Sequence, residues 1–227
     1  MTIKALIFDF DGLIFDTEVP EYQSWQEQYE QHSCVLPLEE WAAEIGTFGV
    51  FDPYLYLERQ YGRPIDRAAI RTARHARFAE LLAGQQPLPG VRDYLTEAKA
   101  RGLKLGVASS SSRSWVQGHL EQLGLREFFD CVKTSDDVVR IKPDPELYQA
   151  ALEALDTPAH AAVAFEDSRN GSLAATRAGI FCVAVPNQLT AVLHNEAANL
   201  QLTSLAEIPL GDLLDRILAM RARPASA

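Results

Sequence analysis

A chain of 227 residues with 47% hydrophobic side chains has enough apolar material for one large domain or two modest ones. Its formal net charge of −10 argues against a binder of nucleic acid or of an anionic membrane surface, both of which need a basic face. No apolar run is long enough for a signal peptide or a membrane span, so the chain is expected in the cytoplasm; Cys34, Cys131 and Cys182 form no CxxC pair, which argues against a disulfide framework or a zinc site.

The first element is the apolar run Ala5-Leu6-Ile7-Phe8, which reads as a buried strand. It ends in "FDFDGLIFDTE". In an extended backbone Asp9 and Asp11 point toward the same side, where like charges repel and, near a core, are poorly solvated. Something must compensate them. From Asp16 to Gln86 the pattern is helical, with no convincing strand, and Asp16 and Thr17 shape the hinge into it. "RAAIRTARHARFAELLAG" (67–84) reads as one long helix. Arg67, Arg71 and Arg74 fall on it at helical spacing and are read as a solvated face. "QQPLPGV" (85–91) then reads as a linker.

Four further strands are expected in "LKLGVAS" (103–109), "DCVKT" (130–134), "HAAVAFE" (160–166) and "IFCVAV" (180–185). Helical patterns separate them: "SRSWVQGHLEQLGL" (112–125), "DPELYQAALEAL" (144–155) and "NGSLAATRAG" (170–179). Strands alternating with helices imply right-handed βαβ units and a parallel sheet covered on both faces. The expected class is α/β, a Rossmann-like core carrying an all-helical insert.

Ligands of open parallel sheets bind at the carboxyl ends of the strands. Asp9 and Asp11 end the first strand, Ser109 the second and Glu166-Asp167 the fourth, while "IKPDPE" (141–146) places Lys142 before a helix. These residue types suit phosphoryl transfer. Carboxylates from two strands make an oxygen-rich site for Mg²⁺, which would offset their mutual repulsion. Ser109 and Lys142 offer a hydrogen bond and a positive charge to a phosphate. Each feature also has a plainer reading: a solvated turn at Asp9, a helix cap at Ser111 or Ser112, a loop cation at Lys142, an acidic helix start at Glu166-Asp167. It is their convergence on one sheet edge that favours chemistry.

"DFDGLIFDTE", "VASSSS", "KPDPELY" and "FEDSRNG" resemble, in order, the four motifs of haloacid dehalogenase-superfamily phosphatases. The likeness is to the helical-cap branch, with its β-phosphoglucomutase-like and phosphoglycolate-phosphatase-like members. The resemblance implies a core of residues 1–15 and 87–227 and a cap of residues 16–86. It implies Asp9 as nucleophile and metal ligand, and Asp11 as acid and base that also binds metal through its backbone carbonyl. Asp167 is then a third ligand of Mg²⁺, and Glu166 a ligand or a neighbour of the ligands. Ser109, Ser110 and Lys142 would hold the transferring phosphoryl group.

The implied activity is hydrolysis of a small phosphomonoester, a sugar or polyol phosphate. Alternatives are a sugar phosphomutase and, more distantly, a receiver-like phospho-acceptor or a non-catalytic domain. Mutases of this branch commonly carry a histidine near Glu21 and a basic residue in the first cap loop. Here no Lys or Arg occurs between Lys4 and Arg59. Glu21, Phe48 and Arg113 are the candidates for substrate choice, with Arg113 a possible compensating cation. The acidic first half of the insert is expected to disfavour a second phosphate or a carboxylate on the substrate. The oligomeric state is left open; a monomer would suffice.

Overall fold

The computed structural model describes residues 2–45, 51–192 and 195–222. Among them, β1 (Ala5–Phe8), β2 (Lys104–Ala108), β3 (Cys131–Lys133), β4 (Ala162–Glu166), β5 (Phe181–Ala184) and β6 (Leu200–Gln201) form one parallel sheet in the order β3-β2-β1-β4-β5-β6. The chain steps outward from β1 to β3, returns to β4 on the other side of β1, and steps outward again. The order therefore reverses between β1 and β4, and a crevice opens at their carboxyl ends. Phe8, the last residue of β1, is in register with Val107 on one side and Phe165 on the other. That register brings Asp9, Ser109 and the Glu166-Asp167 pair level with one another.

Helices α1 (Glu18–Gln31), α2 (Leu38–Glu44), α3 (Pro53–Tyr61) and α4 (Arg67–Leu82) make up the insert. The core carries α5 (Val91–Ala100), α6 (Arg113–Gln122), α7 (Glu146–Ala154), α8 (Arg169–Arg177) and α9 (Leu210–Ala222). None of the helices is long and apolar enough to cross a membrane among the described residues.

Strand alternation divides the sheet into two unlike faces. Leu6, Phe8, Leu105, Val107, Val163 and Phe165 share one cluster with apolar residues of α5, α6 and α9. Ala5, Ile7, Ala162, Ala164 and Cys182 face α7 and α8. The small side chains of that second face let α7 and α8 approach closely, and both helices carry site residues at their amino ends. The insert has an apolar cluster of its own, built from Trp25, Tyr29, Cys34, Leu36, Leu57 and Ile70.

Helix caps show why the elements begin where they do. Asp52 and Asp66 accept backbone N–H groups at the starts of α3 and α4. Ser112, rather than Ser111, caps α6, and Ser168 caps α8. With Ser168 doing the capping, Glu166 and Asp167 are released from that role. The two-residue β6 and helix α9 carried no expectation from the sequence.

Candidate active site

Asp9 follows β1 directly and is 6% exposed. Its N–H donates to the Phe165 carbonyl at 3.0 Å, so the ladder to β4 fixes its backbone. Lys142, itself only 1% exposed, places Nζ 2.5 Å from Oδ1 of Asp9 and 2.6 Å from Oε1 of Glu166. Tyr148, on the first turn of α7, donates its hydroxyl to the same Glu166 oxygen. Although burial opposes a charged lysine, the two carboxylates outweigh it and hold the ammonium protonated well above its ordinary range.

Asp9, Glu166 and Asp167 bring carboxylate oxygens within 4.8 Å of one another. Burial raises Asp9 to about 8, helped by Glu166 and Asp11 and opposed by Lys142. Burial, then Asp9, Glu18 and Glu166, displaces Asp167 upward as well. Fully ionised, three carboxylates against one ammonium would leave two negative charges in a dry place, which is why burial favours the protonated forms of Asp9 and Asp167 here. Two buried oxygens, Oε2 of Glu166 and Oδ1 of Asp167, have no hydrogen-bond partner among the described residues. A hard divalent cation fits this donor set: it matches the residual charge and gives the orphaned oxygens a partner.

The turn after Asp9 is built to admit the cluster. Gly12 has φ +79°, and a Cβ there would overlap Oδ2 of Asp167. The same oxygen of Asp167 is held by Asn187, whose Nδ2 donates to Oδ2 at 2.8 Å. Gly171 lies so close to Glu166 that any side chain there would collide with its carboxylate.

Asp11 faces the other way. Its Oδ1 accepts from Thr17 Oγ1 at 3.0 Å and from Trp115 Nε1 at 2.8 Å. Its Oδ2 accepts from Ser109 Oγ at 3.2 Å and Ser111 Oγ at 2.7 Å. One carboxylate thus faces a cation and two acids, and the other faces four neutral donors.

A cavity of about 480 Å³ lies over both carboxylates, between the sheet edge and the insert. Ser110 and Lys142 line it from the core, and Glu21, Trp25 and Arg74 from the insert. The structure therefore brings Asp9, Asp11, Ser109, Ser110, Lys142, Glu166 and Asp167 to one place. Glu21 reaches the same cavity. Arg113 does not line it; its guanidinium pairs with Asp137 at 2.6 Å on the surface. Phe48 lies outside the described residues.

One expectation requires correction. Arg71 is exposed and Arg67 half-buried, but Arg74 is not part of a solvated face: it is 9% exposed and turned into the cavity. The α1 and α4 helices pack together, so one arginine of the row faces inward. Thr17 is also more than a hinge residue, since its hydroxyl binds Asp11. Tyr148, Trp115 and Asn187 escaped sequence reasoning. Only Tyr148 had a signal, its place within "KPDPELY".

The profile of the family described as "Haloacid dehalogenase-like hydrolase" matches residues 6–185. YhcW of Bacillus subtilis strain 168, a phosphatase by name, is 49% identical over 215 residues, covering 95% of this chain and 98% of that one. Hexitol phosphatase B of Escherichia coli O157:H7 is 30% identical over 223 residues, 93% of this chain and 97% of that one. A variant of CbbY from Rhodobacter sphaeroides, solved in complex with xylulose-(1,5)bisphosphate, superposes with a TM-score of 0.71 at 33% identity, covering 91% of this chain and 96% of that one. The chain belongs to the haloacid dehalogenase-like hydrolase family. Within that family it is an enzyme of the phosphatase kind.

Proposed function

We propose that the chain is a Mg²⁺-dependent phosphomonoester hydrolase that acts on a sugar or polyol phosphate and carries the phosphoryl group transiently on Asp9. The observation that carries this reading is the opposite company kept by two neighbouring carboxylates. Asp9 sits against Lys142 and the acidic cluster, while Asp11 is held by hydroxyl and indole donors.

In the proposed reaction Asp11 enters the step protonated; Asp9 attacks phosphorus, the bond from phosphorus to the alcohol oxygen breaks, and Asp11 gives that oxygen its proton. Asp11 then takes a proton from the water that attacks phosphorus. The bond to Asp9 breaks, inorganic phosphate leaves, and both carboxyl groups return to their starting states. Ser109, Ser110 and Lys142 bind the phosphoryl oxygens. Asp9 and Asp167 would hold the ion, while Glu166 holds Lys142 beside it through Oε1, 2.6 Å away, and has Oε2 left to offer the ion. When bound, Mg²⁺ supplies the positive charge that lets an anionic nucleophile approach an anionic ester.

Residues 16–86 act as a cap that excludes water, hinged on a core of residues 1–15 and 87–227. The phosphorylated-carbohydrate class is supported by the name of hexitol phosphatase B and by the sugar bisphosphate bound to CbbY. A mutase needs a grip on a second phosphate, and Glu21 in the cap wall opposes one. The test is Asp9→Asn with Mg²⁺ and p-nitrophenyl phosphate. Turnover falls by several orders of magnitude while the circular dichroism spectrum is kept; near-normal turnover would refute the assignment.

A further inference from the structure

Among the described residues, the basic side chains lining the cavity are Lys142 and Arg74. Lys142 is already shared between Asp9 and Glu166. Arg74 stands in the cap wall. Its Nη1 donates to Oε1 of Glu21 at 2.7 Å, and its guanidinium lies over the Trp25 ring, 5.1 Å from the centroid. Among the described residues its Nε is buried and has no hydrogen-bond partner. A buried guanidinium N–H without an acceptor is costly, so the position calls for an acceptor from a ligand.

Glu21 completes the pair. Its side chain remains 30% exposed and lines the cavity, which leaves acceptor capacity there. The two side chains form one pair with no net charge in the cavity wall. Uncharged hydroxyls, which both donate and accept, suit such a pair. A second phosphate or carboxylate does not. It meets the carboxylates of Glu21 and Glu18, both lining the cavity, while the charge of Arg74 is already neutralised.

We propose that the Arg74–Glu21 pair, stacked on Trp25, is the subsite that reads the leaving group. It selects uncharged polyhydroxy alcohols, and Glu21 is the element that rejects a second anion. This deepens the phosphatase reading above and rests on it.

The test compares kcat/KM for glucose 6-phosphate with that for glucose 1,6-bisphosphate, with p-nitrophenyl phosphate as a separate measure of the chemistry. The wild type favours the monophosphate by about tenfold or more. Glu21→Gln, which keeps the shape and removes the charge, shifts that ratio at least about tenfold toward the bisphosphate by exposing Arg74. Arg74→Lys keeps a charge for Glu21 but loses the fork. It raises KM for glucose 6-phosphate by about tenfold with a smaller change in kcat, and it leaves the monophosphate preferred. If the wild type prefers the bisphosphate, or if Glu21→Gln leaves the ratio within about twofold of wild type, the inference falls while the phosphatase reading stands. If the wild type fails to hydrolyse even p-nitrophenyl phosphate with Mg²⁺, that reading falls and takes the inference with it.

Discussion

Trp115 donates its indole N–H to Oδ1 of Asp11 at 2.8 Å, and the same ring stacks on Phe78 of α4 with centroids 5.9 Å apart. The insert and the candidate acid of the core are therefore linked through one side chain. Removing the N–H while keeping an aromatic ring frees Asp11 from a donor that orients it. Trp115→Phe lowers kcat about tenfold, the worth of one hydrogen bond to a carboxylate, with KM for p-nitrophenyl phosphate changed less than kcat. An unchanged kcat would mean that Thr17, Ser109 and Ser111 orient Asp11 without it.

Among the described residues, Lys142 is the only cation paired with Asp9 and Glu166. Lys142→Met keeps the length of the side chain and removes the charge. Two carboxylates then share a dry crevice without compensation, and breaking a buried pair in this way costs about 3–5 kcal/mol. Urea unfolding of the variant without Mg²⁺ measures this, and activity is lost as well. An unchanged urea midpoint would contradict the charge balance described here.

Asp167 carries a buried, unpartnered Oδ1 within the acidic cluster. Mg²⁺ binding to the folded chain alone raises its stability, by about 2.7 kcal/mol at a hundred times Kd, or several degrees in Tm. Asp167→Asn relieves the repulsion, so its Tm without metal rises, and the response to Mg²⁺ shrinks or disappears. A mutant that still gains as many degrees from Mg²⁺ as wild type would place the ion elsewhere.

The core of this site was legible in the sequence because each polar residue follows an apolar run that can only be a strand. Asp9 after Phe8, Ser109 after Ala108 and Glu166-Asp167 after Phe165 all follow that rule, and strand register then fixes their mutual distance. Helices hide more. Arg67, Arg71 and Arg74 look alike in a periodic pattern, and only the packing of α4 on α1 decides which one turns inward. Trp115 reads as an apolar position of α6, and the donor at the far edge of its ring leaves no trace in hydropathy. A strand of two residues, β6, is too short for any periodicity to mark.

Asp130 anchors the edge of the sheet away from the site. Burial works to raise its carboxyl, but the Leu105 N–H at 2.7 Å and Lys99 at 2.9 Å outweigh it and hold it below the ordinary aspartate value. The unfolded chain therefore takes up this proton first as the pH falls. The stabilisation is fully present above the unfolded value, near 3.8, and is lost as the pH drops through the lower folded one. Asp130→Asn, measured by urea unfolding, is less stable than wild type at pH 7, and the gap closes toward pH 3. A gap that persists or widens in acid would reverse the sign assigned to this group. The side chain is 44% exposed, so the effect is modest.

The central claim is that Asp9 carries the phosphoryl group and Asp11 manages the protons. The most direct measurement uses Asp11→Asn with p-nitrophenyl phosphate, whose leaving group departs without needing a proton. Transfer to Asp9 then proceeds while hydrolysis of the phosphoenzyme, which needs a base for water, stalls. The account predicts a burst of p-nitrophenolate equal to the enzyme present, a slow steady state, and a phosphoryl group located on Asp9 by mass spectrometry after rapid acid quench. Turnover with no burst and no phosphoryl group on Asp9 would contradict it.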